Sequence, residues 1–307
     1  MSSRFGIPAR CMICRPRNFG VSGAEKDFVE FLKGFGFSLL EHDRSVIGPY
    51  ELDAYIPEKK LAFEFDGMFW HSEQAGKDRN YHLEKTRLCN ERGIRLIHVF
   101  EDEWRDRRAI AESRIKDMLG VHENTVYARK CSVQEVSQAE SRSFLDENHL
   151  QGNVNGSVRL GLYFNGVLVS IMTFGKSRFS GKYQWEMLRF CCRLGYHVPG
   201  AAGRLLRHFE TEFRPASLVS YADLRWSSGN LYRALGFDFV GNSPPGYFYV
   251  KGDRRYSRVA FQKHRLEKIL RVFDPAKTEV QNMNDNGYFR VFDCGNAVFC
   301  RRYTLEA

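Results

Sequence analysis

The chain has 307 residues, 43% apolar and 27% charged, the balance of a globular protein long enough for two hydrophobic cores. No run of about 18 apolar residues occurs, which excludes a membrane-spanning helix. No apolar stretch follows Arg4 and Arg10 as in a secretory leader, and eight cysteines are scattered without a disulfide framework, so a reduced, cytoplasmic protein is expected. The net charge of +9 is uneven: residues 1–120 hold 20 Lys+Arg against 20 Asp+Glu, and the rest hold 26 against 17. A neutral half and a basic half suggest that one does chemistry while the other grips a polyanion.

Residues 1–21 form a basic segment in which Cys11 and Cys14 have zinc-knuckle spacing. A structural Zn²⁺ needs four ligands, and His82, Cys89 or Cys131 could complete the set only through the fold. Ser22 to Glu25 opens a helix with Phe28, Val29, Phe31, Leu32 and Phe35 inside, ended by Gly34 and Gly36. A strand near Ser38–His42 and a turn at Gly48-Pro49 follow. Residues 50–71 then read as a hairpin turning at Pro57–Lys60. That turn sets Ile56 against Leu61, Asp53 against Glu64 and Glu51 against Asp66. Leu52, Ala54, Ile56, Leu61, Phe63 and Phe65 share the other face. Like charges opposite one another destabilise a sheet, so four carboxylates on one face call for a cation.

Further on, Asp78–Arg92 reads as a polar helix stopped by Gly93, Ile94–Phe100 as a strand and Glu101–Leu119 as one long helix. Residues 22–119 thus form one domain, and 120–135 a linker. A second domain, 136–272, starts with a helix at Gln138–Asn148. Asn165-Gly166 joins strands Val158–Phe164 and Val167–Phe174. A strand at Tyr183–Cys191, a Gly200–Gly203 turn before helix Arg204–Phe213, a strand at Leu218–Ala222, a short helix at Asn230–Leu235 and a strand at Tyr247–Lys251 follow. Arg254–Arg271 is densely basic. Residues 273–307 read as an extension ending in a hairpin.

Phosphodiester hydrolysis needs a cation to neutralise the phosphate and acidify water, and hard cations such as Mg²⁺ or Mn²⁺ prefer oxygen ligands. Asp53 and Glu64 meet that need as metal ligands, with Glu25 as a third acid, although Ser22 and Glu25 also read as a plain capping box. His71 is the imidazole nearest the hairpin end and suits general acid–base work. Trp70 is a packing residue or a wedge against bases, and Glu51 a rim charge.

These motifs, in the order α-β-β-β-α-β, resemble the PD-(D/E)xK nuclease superfamily. Gly67-Met-Phe-Trp-His71 resembles its Vsr-like branch, which holds a mismatch-repair nickase and the EDxHD homing endonucleases. Segments 51–64, 81–89 and 93–104 are similar to those of homing endonucleases carried by large phages. The resemblance covers residues 11–119. It implies a catalytic set of Glu25, Asp53, Glu64 and His71, with Mg²⁺ or Mn²⁺ and a double-stranded DNA substrate. Asp66 stands where the family has a lysine. Lys85, on a polar helix face that would ordinarily be solvated, could reach in as its replacement.

In the second half, Ser220 to Phe237, with Asn230 and Leu231-Tyr232 before Leu235-Gly236-Phe237, resembles the later motif of GNAT-type acyltransferases, including the Mom-like DNA-modification group, over residues 136–262. The resemblance implies a GNAT-like α+β domain. Arg225 and Trp226, in a Ser/Gly-rich loop, suggest a base-reading pair, and Arg254, Arg255, Arg258, Lys263 and Arg265 suggest phosphate contacts. The expectation is an α/β homing endonuclease whose N-terminal domain cuts and whose basic C-terminal domain binds DNA. A Vsr-like repair nickase and a Mom-like acyltransferase with an inactive nuclease domain are the alternatives.

Overall fold

The computed structural model describes residues 22–303, so the Cys11–Cys14 pair lies outside the described residues. Helix α1 (Gly23–Lys33) begins where Ser22 accepts a hydrogen bond from the Glu25 N–H at 3.0 Å, and it buries Phe28, Val29 and Leu32. Strands β1 (Leu40–Asp43), β2 (Leu52–Ile56) and β3 (Leu61–Asp66) pair antiparallel in turn. Helix α2 (Tyr81–Glu91) crosses over, and β4 (Arg95–Phe100) lies parallel to β3. The hairpin register is the expected one, with Ile56 opposite Leu61 and Ala54 opposite Phe63.

One long helix was expected after β4. The chain instead makes α3 (Glu101–Asp106) and α4 (Arg108–Leu119). It leaves helical geometry at Arg107 (φ −131°, ψ 28°), whose side chain donates to the Asp146 carbonyl outside this layer. Phe28, Leu32, Trp104 and Ile115 from the helices pack on Ala54, Ile56, Phe63, Phe65, Ile97 and Val99, covering one face of the sheet. Helix α2 roofs the other with His82, Lys85, Thr86 and Cys89, all buried. All six residues of β3 are therefore buried, the carboxylates included.

The linker assigned to 120–135 contains strands. β5 (Asn124–Thr125) pairs with β10 (Tyr196–His197), and β6 (Ser132–Glu135) edges the large sheet. That sheet also holds β7 (Val158–Phe164), β8 (Val167–Lys176), β9 (Trp185–Cys192), β11 (Ser217–Asp223), β12 (Asp238–Asn242) and β16 (Asn296–Arg302). Its order is β12-β16-β11-β9-β8-β7-β6. Asn165 and Gly166, both left-handed (φ 49° and 77°), make the tight turn between β7 and β8. Helices α5 (Gln138–Asn148), α6 (Ala201–Phe213) and α7 (Asn230–Ala234) accompany the sheet, and Leu205, Leu206 and Phe209 of α6 join its core. β9 and β11 pair only at Trp185–Glu186 and Leu218–Val219, and beside them lies a cleft of ≈ 870 Å³.

The tail is not a terminal hairpin. β16 inserts between β11 and β12, burying Ala297 and Phe299 in the main core, while β15 (Phe289–Phe292) pairs with β13 (Tyr247–Lys251) in a small sheet of order β14-β13-β15. Residues 243–295, with β14 (Arg254–Ser257), α8 (Leu266–Ile269) and α9 (Glu279–Asp285), are thus an insertion within the large sheet. The boundary drawn at 273 cuts through both sheets. Strand pairing across such separations has no local signature. Among the described residues no helix is long and apolar enough to cross a membrane.

Candidate active site

Glu25 in the first turn of α1, His42 on β1 and Asp53 on β2 each bring one ligand atom within 4.8 Å of the others. Asp53 Oδ2 accepts the Phe65 N–H at 2.7 Å. His42 has a left-handed backbone (φ 50°), and its Nδ1 lies 3.0 Å from Glu51 Oε1. Arg44 Nε donates to Glu51 Oε2 at 2.7 Å. Glu51 therefore orients a candidate ligand, and a carboxylate behind an imidazole is the usual support for a metal-binding histidine. His42 was not singled out in the sequence, where an exposed histidine on an edge strand carries no signal.

Glu64 does not join that group. It is 1% exposed, and its Oε2 accepts from Lys85 Nζ. Lys85, only 3% exposed, is no solvated residue: α2 carries it from another element onto the acidic strand. Glu64 Oε1 is buried with no hydrogen-bond partner. Burial and the neighbouring Asp53 charge push Glu64 well above the usual carboxylate range. Burial raises Asp53 as well, against the pull of Lys85 and the Phe65 N–H. Burial, then Asp53, raises Glu25. Burial acts to lower Lys85, but the charges of Glu64 and Asp53 outweigh it and hold the ammonium protonated. Three carboxylates raised together make a cluster short of positive charge. An orphaned carboxylate oxygen beside a carboxylate-rich donor set with one imidazole fits a divalent cation.

Asp66, 0% exposed, sits among three imidazoles that the sequence reading did not connect to it. Its Oδ1 lies 3.0 Å from His71 Nδ1 and 3.4 Å from His82 Nε2, and its Oδ2 lies 3.1 Å from His98 Nδ1. Burial would raise Asp66, but His82, His98 and His71 together hold it well below the usual range. His71 is thus tied to Asp66 and α2, with Trp70 and Phe69 beside it about half exposed and packed edge to face at 4.9 Å.

The expected base-reading pair is buried. Arg225 is 3% exposed, bonds Glu103 at 3.0 Å and Asp223 at 2.9 Å, and stacks on Phe100. Trp226 belongs to the core of the first layer, under the Arg114 guanidinium. Their loop covers the edge of β4, the Arg225 carbonyl accepting the His98 N–H at 3.1 Å. Arg255 is likewise drawn inward, bonding Asp102 and Glu103 across the same Phe100 ring. Buried acids on α3 demand such partners, which explains both corrections. Arg254, Arg258, Lys263 and Arg265 remain exposed on the insertion.

No protein family and no curated protein matches the chain. Among solved structures it is similar to the catalytic domain of the homing endonuclease I-Bth0305I, at 24% identity over 32% of this chain and 95% of that one, with a TM-score of 0.27. It is also similar to the ribosomal-protein-S18-alanine N-acetyltransferase of Escherichia coli, at 11% identity over 58% of this chain and 96% of that one, with a TM-score of 0.34. An N-acetyltransferase of Staphylococcus aureus gives 12%, 56% and 98%, with a TM-score of 0.33. Scores this low carry no argument about activity. The mixed α/β architecture stands on the strand orders themselves.

Proposed function

We propose that the chain is a divalent-metal-dependent DNA endonuclease of the homing type, Vsr-like in its PD-(D/E)xK core, with a GNAT-like second domain. The observation that carries this reading is the convergence of Glu25, His42 and Asp53 beside the buried Glu64–Lys85 pair. Glu25, His42 and Asp53 would hold Mg²⁺ or Mn²⁺, which when bound supplies phosphate neutralisation and an acidified water. Lys85 brings positive charge to the buried acidic strand behind Asp53. His71 handles a proton, with Asp66 meeting the charge that results. Arg254, Arg258, Lys263 and Arg265, on the insertion, offer phosphate contacts that position the duplex.

Cleavage of a randomised duplex library with Mg²⁺ tests the reading. Asp53→Ala and Glu25→Ala are each expected to lower the rate by about 10²-fold or more. Cleavage surviving both substitutions overturns the assignment. Sequencing the cut ends reports the target and whether one strand or both are cut, and preference for a mismatched duplex would favour a Vsr-like repair nickase. A second reading, acyl transfer, draws on the cleft beside β9 and β11, lined by Gly200, Ala201, Ala202 and Gly203 at the start of α6. Micromolar binding of acetyl-CoA, lost on filling that cleft with Ala202→Trp, would support it.

A further inference from the structure

We infer that His82 is a positioning residue that fixes the tautomer of His71, and that the inserted segment supplies the carbonyl on which this depends. The inference rests on the reading of His71 as the proton-handling group of the nuclease centre. His82 Nδ1 lies 2.6 Å from the Phe292 carbonyl oxygen. A carbonyl only accepts, so Nδ1 carries a proton, and in the neutral ring Nε2 is the acceptor. His71 Nδ1 lies 2.8 Å from that Nε2.

The planes of the two rings differ by only 5°, and their centroids are 5.1 Å apart. That separation is as long as a 2.8 Å contact between ring nitrogens permits. The two nitrogens therefore meet head-on along the line of centres, which is the geometry of an N–H···N hydrogen bond. Two imidazoles on one metal ion would instead converge at an angle. Asp66 Oδ1 lies 3.0 Å from His71 Nδ1 at its flank, off the line to His82, where it accepts no hydrogen bond but places its charge beside that nitrogen. With the His82 acceptor on its axis, His71 Nδ1 holds the proton, and its Nε2 carries the lone pair.

A proton taken up at Nε2 makes His71 an imidazolium whose Nδ1–H stays on His82 and whose charge meets the Asp66 carboxylate. No other group changes its bonds. The carbonyl that orients His82 does not come from the first layer. Phe292 ends β15, within the insertion, and the loop bearing His71 is fastened to that strand. Ser72 bridges to Val291, and Arg290 grips Glu73 through two bonds of 2.8 and 2.5 Å. Residues more than two hundred positions downstream thus set which nitrogen of His71 is basic.

Long-range ¹H–¹⁵N spectra of ¹⁵N-histidine-labelled, metal-free full chain test this directly, above the ordinary histidine pKa. His71 is expected as the Nδ1–H form. His82→Leu should convert it to the Nε2–H form, whereas His82→Gln, whose amide donates to Phe292 and accepts from His71, should retain Nδ1–H. In cleavage, His82→Leu should lower kcat by about 10²-fold with KM for DNA unchanged, and His82→Gln should recover most of the loss. An Nε2–H His71 in the wild type, or in His82→Gln, overturns the inference, as does an equal kcat loss in the two variants. The spectra decide whether or not the chain cuts DNA. If they fail while Asp53-dependent cleavage persists, only this inference falls.

Discussion

Replacing Lys85 by methionine isolates the electrostatics of the centre. Methionine keeps most of the stem and removes the charge, stranding Glu64, which is 1% exposed and already has one oxygen without a partner. Breaking a buried pair from one side costs about 3–5 kcal/mol, because the remaining charge has neither water nor counter-ion. At about 2 °C per kcal/mol for a chain of this size, Tm should fall by about 6–10 °C. The pH dependence follows from sign. Glu64 already sits above its ordinary range, and losing Lys85 raises it further. A carboxyl raised in the folded state contributes stability below its unfolded pKa and loses it as pH rises through the folded one. The deficit should therefore be large near pH 8 and small near pH 5, where protonation relieves Glu64. Adding Glu64→Gln should restore most of the Tm while cleavage stays absent. Thermal melts followed by circular dichroism check each step. A drop below about 2 °C near pH 8, an equal drop at both pH values, or a double variant no better than the single one refutes the reasoning.

Four further outcomes are expected. Arg225→Ala should cost about 3–5 kcal/mol in urea denaturation, since Glu103 loses a buried partner, yet leave DNA affinity of the folded protein little changed. Lys263→Ala and Arg265→Ala should do the reverse, holding stability within about 0.5 kcal/mol and each reducing the slope of log affinity against log salt by about 1. Mg²⁺ should raise Tm more near pH 8 than near pH 5, because protons compete with the cation for Glu25 and Asp53, both raised above their ordinary values. His42→Ala should weaken Mn²⁺ binding by about tenfold in calorimetry and Mg²⁺ less, since imidazole suits the softer ion; equal losses would remove His42 from the ligand set.

Much of the first layer was legible because its signals are local. The four-residue turn at Pro57–Lys60 fixes the register of β2 and β3, and Ser22 with Glu25 marks the start of α1. Asn165-Gly166 and the run to Phe237 were legible for the same reason. Lys85 was legible as a candidate only through its position on α2, since a lone lysine on a polar helix says nothing about which way it faces. Arg225, Trp226 and Arg255 misled for the converse reason. A basic loop looks like a phosphate contact until the acids of α3, Asp102 and Glu103, are found beneath it.

By itself the sequence determined the register of the hairpin that carries the carboxylates, where most helices and strands lie, and which half bears the positive charge, because turn length, side-chain periodicity and composition act over a few residues. Only the tertiary structure decided that β16 enters the middle of the large sheet, that residues 243–295 are an insertion, and that Glu64 pairs with Lys85 while Asp53 turns to Glu25 and His42. It alone decided that Asp66 gathers three histidines. Those outcomes depend on strand pairing and charge burial between residues up to about two hundred positions apart, where no local pattern reaches and the cost of leaving a buried charge unpaired selects the partner.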